Sequence, residues 1–160
     1  MRRFGIGLAL AVAAFVGVVV FLWPAGGTGS EPIRHGEDTC ARCRMLISQP
    51  GFAGEMRDHT GALTRYDDLG CLLGAMLASH EEIPEAWVED HDSAALIPLL
   101  GAQLVRAAAA ATPMGHGLVA FADAGSAHAF VAAHGGELVR LEDLVRSPER
   151  LARARGEERR

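Results

Sequence analysis

The sequence predicts an α+β domain built from two small related strand-strand-helix-strand units, preceded by an N-terminal transmembrane anchor. Three observations carry this prediction. Residues 4–23 are an unbroken run of 20 uncharged residues, long enough to cross a bilayer as a helix. Past residue 50, strand-like stretches give way at Leu69 to apolar residues at helical spacing. Finally, Tyr66-Asp67-Asp68-Leu69-Gly70 is echoed by Phe121-Ala122-Asp123-Ala124-Gly125, each at the head of a helical pattern, which marks an internal repeat.

Taken in order, residues 1–25 read as the anchor, with Arg2 and Arg3 holding its amino end in the cytoplasm. Trp23-Pro24-Ala25 is a poor cleavage context, so an uncleaved anchor is expected over a signal peptide. No cysteine lies just after the apolar run, which argues against lipid attachment. This places the remaining chain in the periplasm, held at the inner membrane. Residues 26–37, with Gly26, Gly27, Gly29, Gly36 and Pro32, read as a flexible tether.

The first unit is expected over residues 38–102. Strands at 52–57 and 62–66 flank the turn-forming Asp58-His59-Thr60-Gly61. Leu69, Leu72, Leu73, Met76 and Leu77 then mark an amphipathic helix that Asp67 or Asp68 can cap, and a short strand follows at 86–89. The second unit, residues 103–145, repeats the plan: strand at 103–106, weak helix or linker at 107–111, strand at 118–121, helix at 124–134, strand at 137–141. Residues 146–160 hold six arginines and read as a solvated tail.

Charge narrows the function. Beyond Arg2 and Arg3, 13 basic residues face 20 acidic ones, so nucleic acid is not an expected partner. No Gly-x-Ser-x-Gly, P-loop, dinucleotide-binding or His-Glu-x-x-His pattern occurs. Nothing points to turnover of a substrate, and the chain is not expected to be an enzyme.

The chemistry concentrates in sulfur. Cys40, Cys43 and Met45 fall within six residues, in a chain with 3 cysteines and 5 methionines. Thiolate and thioether donors select copper(I) over hard divalent ions. On an extended segment Cys43 and Met45 leave the same face, and 45–47 reads as a strand. A second donor pair, Met114 and His116, lies in the glycine-flanked Thr112-Pro113-Met114-Gly115-His116-Gly117; the alternative is a plain loop with Met114 in the core and His116 exposed. Cys40-x-x-Cys43 also suits a disulfide in an oxidising compartment, while zinc would need a fourth ligand. Cys71 reads as a small inert helix residue, and Glu89-Asp90-His91-Asp92 as a solvated turn. Arg44 is expected to lower the thiol pKa of Cys43.

Together these motifs resemble the NosL family, periplasmic copper(I)-binding accessory proteins of nitrous oxide reductase. The likeness covers residues 38–144. It rests on Cys40-x-x-Cys43-x-Met45, on Tyr66-Asp67-Asp68-Leu69-Gly70-Cys71 and Ala86-Trp87-Val88-Glu89-Asp90, on the segment from Thr112 to Phe121, and on His134-Gly135-Gly136-Glu137. It implies two related α/β units and a copper(I) chaperone that serves the assembly machinery of a copper enzyme, or the enzyme itself, in nitrous oxide reductase maturation and hence denitrification. It also implies that Cys43 and Met45 match the family's Cys-Gly-Met motif and Met114 its Thr-Pro-Met-Gly methionine. Cys40 and His116 complete the expected ligand set. Two departures stand out: Arg44 replaces the motif's glycine, and the family's lipoprotein cysteine is missing. The rival readings are a periplasmic thiol-disulfide protein using Cys40 and Cys43, a copper carrier for another enzyme such as a terminal oxidase, and a structural module with a fixed disulfide.

Overall fold

A computed structural model describes residues 29–79 and 85–146 of the 160-residue chain. The expected anchor, the start of the tether and nearly all of the arginine-rich tail lie outside these residues. Among the described residues no helix is long and apolar enough to cross a membrane.

The expected hairpin forms from β1 (Gly54–Arg57) and β2 (Leu63–Tyr66), which pair antiparallel. Asp58 shapes its turn by accepting from the Thr60 and Ala62 N–H groups at 2.8 and 3.0 Å, as a short acidic side chain does in an Asx turn. Helix α1 (Leu69–Ser79) follows, then β3 (Glu85–Glu89) on the other side of β1 and β4 (Leu96–Pro98) at the edge, giving the order β2-β1-β3-β4. Strand β4 has no alternating pattern in the sequence, and its Pro98 suits an edge position.

The second unit repeats the first three strands of this plan. Strand β5 (Gln103–Arg106) lies between β6 (Leu118–Phe121) and β7 (Glu137–Val139), with α2 (Ala124–His134) connecting the outer two. The last expected strand is shorter than its 137–141 reading because Leu141 already opens a short helix, α3 (Leu141–Arg146). No helix forms over 107–111.

Period two governs how the units meet. On β5 and β6, Leu104, Leu118 and Ala120 join Leu69, Leu72, Leu73, Val88 and Leu99 in one core, while Val105, Val119 and Phe121 face α2 in a second. Alternate residues leave opposite faces of a strand, so this sheet is covered on both sides, and its β6 reads Leu-Val-Ala-Phe without a polar break. Each fully buried leucine contributes about 2 kcal/mol.

Only the latter part of the 89–92 run is a solvated turn: residues 91–93 turn and Asp92 is exposed. Glu89 and Asp90 are buried. A Glu89 oxygen accepts from the Gly51 and Ala53 N–H groups at 2.8 and 3.2 Å, and Asp90 accepts from Ala122 at 2.8 Å. The His91 N–H donates to the Ala120 carbonyl at 2.8 Å. These carboxylates therefore tie the first sheet to its own entry loop and to the second unit.

Helix α1 carries two glycines where helix propensity disfavours them by about 1 kcal/mol each. A Cβ on Gly70 would overlap the His116 ring, and one on Gly74 would overlap the Arg42 guanidinium. The two differ in what can yield: His116 is buried and hydrogen-bonded, whereas Arg42 is the far end of an exposed, flexible side chain. Gly70→Ala is therefore expected to lower stability by about 2 kcal/mol, and Gly74→Ala to raise it by about 0.5 kcal/mol. Urea denaturation of the two variants checks both signs.

Candidate metal centre

The centre begins at a tight turn rather than a strand. The Cys40 N–H donates to the Met45 carbonyl at 2.9 Å, the Arg44 N–H to the Cys40 carbonyl at 3.0 Å, and the Cys43 N–H to Cys40 Sγ at 3.5 Å. Arg44 has φ 66°, in the left-handed region that costs an ordinary residue about 1 kcal/mol. A glycine would sit there without that cost, which accounts physically for Cys-Gly-Met at this place in the motif. The expected strand over 45–47 is reduced to a single bridge between Thr39 and Leu46. The shared-face argument for Cys43 and Met45 fails with it, because the chain turns between them. The turn is fastened to β2 by the Ala41 N–H on the Arg65 carbonyl, 2.9 Å.

Helix α1 supplies the third sulfur. The Asp68 carboxylate caps the helix by accepting the Cys71 N–H at 2.8 Å, which fixes the first turn and sets Cys71 facing the 40–43 turn. The sulfurs of Cys40, Cys43 and Cys71 lie within 4.8 Å of one another. All three are free thiols. Cys40 and Cys71 are buried and Cys43 is half-buried.

The 112–117 loop supplies the imidazole. His116 Nδ1 lies 2.9 Å from Asp68 Oδ2, and the Met114 N–H donates to the same oxygen at 3.1 Å. Donor atoms of Asp68, Cys71 and His116 form a second group within 4.8 Å. Cys71 belongs to both groups. The carboxylate at Nδ1 fixes the orientation of the ring, as the partner of a metal-binding histidine does.

The structure thus treats the five sequence candidates differently. Cys40 and Cys43 converge. His116 is buried rather than exposed, and adjoins the sulfurs through Cys71. Met114 packs half-buried against the first core and touches the centre through its backbone. Met45 stands 51% exposed at the outer side of the turn. The inert reading of Cys71 missed a member of the cluster. Its signal in the sequence was Gly70 beside it: a glycine inside a helix, four residues before another, indicates something packed close.

The thiols are not equivalent. Cys40 is held well below the ordinary thiol range, first because the Cys71 S–H donates to it, with backbone N–H groups including that of Cys43 adding to the effect against burial. Cys71 is pushed up as the donor of that bond, and further by burial. Cys43 is also pushed up, chiefly by burial, so the expected lowering by Arg44 is not what governs it. Asp68 stays below the usual carboxylate range although burial works to raise it, because His116 and the N–H groups of Cys71 and Met114 stabilise its charge. Three sulfurs so placed are a compact soft donor set, suited to a thiophilic ion.

The family model for NosL matches residues 33–148. The fold is similar to that in the crystal structure of the copper chaperone NosL from Shewanella denitrificans, with a TM-score of 0.66 and 22% identity, over 73% of this chain and 96% of that one. No curated protein matches the chain.

Next to the centre, Asp67 is buried, and its Oδ1 has no hydrogen-bond partner among the described residues. Burial, reinforced by the charges of Cys40 and Asp68, pushes its carboxyl up to about 6. An unfolded aspartic acid titrates near 4, so the folded state binds more protons between these values and stability falls as pH rises across that window. Asp67→Asn removes this contribution. Its melting temperature should match the wild type near pH 4, exceed it progressively up to pH 6, and keep a constant advantage above, measured by thermal scans from about pH 4 to 8.

Proposed function

The chain belongs to the NosL family, and from that membership together with its sulfur cluster we propose that it is a copper(I) chaperone. The convergence of the Cys40, Cys43 and Cys71 sulfurs carries this reading. Copper(I) accepts two to three soft donors, whereas a structural zinc site closes on four. Here the three sulfurs and the imidazole do not form one mutually close set of four.

In this proposal Cys40 and Cys71 hold the ion from beneath and Cys43 from the half-exposed side. Met45, Met114 and His116 are the further donors available as the ion enters or leaves. Binding displaces the S–H protons of Cys43 and Cys71, and transfer proceeds by exchange of one sulfur at a time for a donor of the acceptor. The recipient is the assembly machinery of a periplasmic copper enzyme, nitrous oxide reductase on the sequence resemblance, and the anchor at residues 1–25 keeps the domain at the periplasmic face of the membrane.

The thiol-disulfide reading is less well supported. Of the pair that would have to cycle, Cys40 is 0% exposed and out of reach of a partner disulfide.

The test is a competition titration of the reduced full-length chain, kept soluble in detergent, with copper(I) against a chromophoric chelator. One ion per chain is expected, with affinity reduced about tenfold or more, a change of about 1.4 kcal/mol, by Cys43→Ser and by Cys71→Ser. Met45→Leu and Met114→Leu should produce smaller losses. A wild-type chain that cannot compete for copper(I) would sink the chaperone reading. An unchanged affinity in Cys71→Ser would remove that residue from the site.

A further inference from the structure

Two cations on the metal-site turn have no carboxylate partner among the described residues. Among the described residues Arg34, Arg57, Arg65 and Arg106 are each paired with a carboxylate. Arg42 and Arg44, like Arg140 and Arg146, have no carboxylate within ion-pair distance among those residues and are exposed. Arg42 and Arg44 flank Cys43, and the next two side chains, Met45 and Leu46, are 51% and 50% exposed. The outer face of the turn thus presents cation, thiol, cation, thioether and an aliphatic group in succession.

The fold places both residues on this turn. The Arg42 guanidinium lies over α1 at Gly74, where a larger residue would displace it. Arg44 is held with φ 66° by the hydrogen bonds of the turn. The chain beyond Arg3 is otherwise acidic, with 13 basic against 20 acidic residues, so this face has the opposite sign to the protein that carries it. Lone exposed apolar side chains are ordinary on a protein surface. A neighbouring apolar pair beside unpaired cations, over the half-buried sulfur of the cluster, matches the core and rim of a small transient interface.

We propose that the 42–46 turn is the docking face for the copper acceptor, and that the acceptor is a protein presenting carboxylates beside its own soft donors. This rests on the chaperone reading of the same site. Arg42 and Arg44 draw the acidic rim of the acceptor into register, Met45 and Leu46 are covered by it, and Cys43 is the sulfur brought within reach of the incoming donors. Charge at such a rim acts mainly on encounter rate and salt dependence. An anionic membrane is a weaker match, since lipid-binding segments gather about four to eight basic residues.

The experiment uses the full-length chain in zwitterionic lipid nanodiscs, one chain per disc, and a fluorescent peptide of alternating aspartate and methionine, with a twin carrying asparagine in place of aspartate. The variants are Arg44→Asn and Arg44→Asp, both of which tolerate a left-handed backbone. Without copper and at low ionic strength, the wild type should bind the acidic peptide about fivefold more tightly than its twin. Arg44→Asn should reduce that preference and Arg44→Asp abolish it, and about 1 M salt should erase it in every chain. Equal binding of the two peptides, or a preference untouched by Arg44→Asp, overturns the proposal. The same discs then identify the other occupant, a second copy by disc-to-disc crosslinking or anionic lipid by association with phosphatidylglycerol vesicles. Copper(I) competition on the same samples separates the two readings. Peptide preference without copper binding leaves the docking face standing and removes the chaperone; copper binding without preference does the reverse.

Discussion

A single buried carboxylate joins the parts of this structure. Asp68 has four demands to balance: it caps α1, receives the Met114 N–H, holds the His116 ring and is itself removed from water. An ionised group in that position survives only because its oxygens are so fully engaged. Its counterpart in the repeat, Asp123, makes the same cap to Ser126 at 3.0 Å but remains exposed. The two aspartates therefore show how one position in a repeated unit diverged. In the second unit it only caps the start of a helix; in the first it also orients an imidazole and fixes the helix turn that carries a thiol.

That arrangement gives the sulfur cluster an inside and an outside. Cys40 and Cys71 are closed off beneath, Cys43 is half-buried, and Met45 reaches solvent. A donor set graded in this way suits temporary custody of an ion better than permanent storage, because the outermost donors can be replaced while the innermost still hold. The closeness of the sulfurs pushes Cys40 and Cys71 in opposite directions, the first toward the thiolate and the second toward the thiol. A single thiolate is tolerated in the core where three would repel one another.

Much of this was legible in the sequence, and the losses have identifiable causes. The hairpin, both helices and the repeat were readable because turn chemistry at Asp58, caps at Asp68 and Asp123 and the spacing of Leu69, Leu72 and Leu73 all agree with the fold. Strand β4 was invisible, since three residues ending in proline have no period. The strand expected at 45–47 failed because Arg44, a residue with no preference for left-handed backbone, adopts it under tertiary constraint. Cys40 and Cys43 announced themselves by spacing, but Cys71 did not: its role depends on which way a helix is rotated, and a mostly buried helix has little amphipathic pattern to reveal that. Glu89 and Asp90 looked solvated because four polar residues in a row ordinarily are. Their burial follows from the loops that need acceptors there.

The two-sided burial of β6 bears on what the repeat amounts to. Two copies of one supersecondary plan would usually be expected to stand as two modules, each able to persist without the other. Here Leu104 and Leu118 belong to the core of the first unit and Leu144 closes over it, while Val105, Val119 and Phe121 form a second core with α2, so the interior of the first unit is completed by the second. The candidate metal centre lies where they meet, with Cys40, Cys43 and Cys71 from the first unit and His116 from the second.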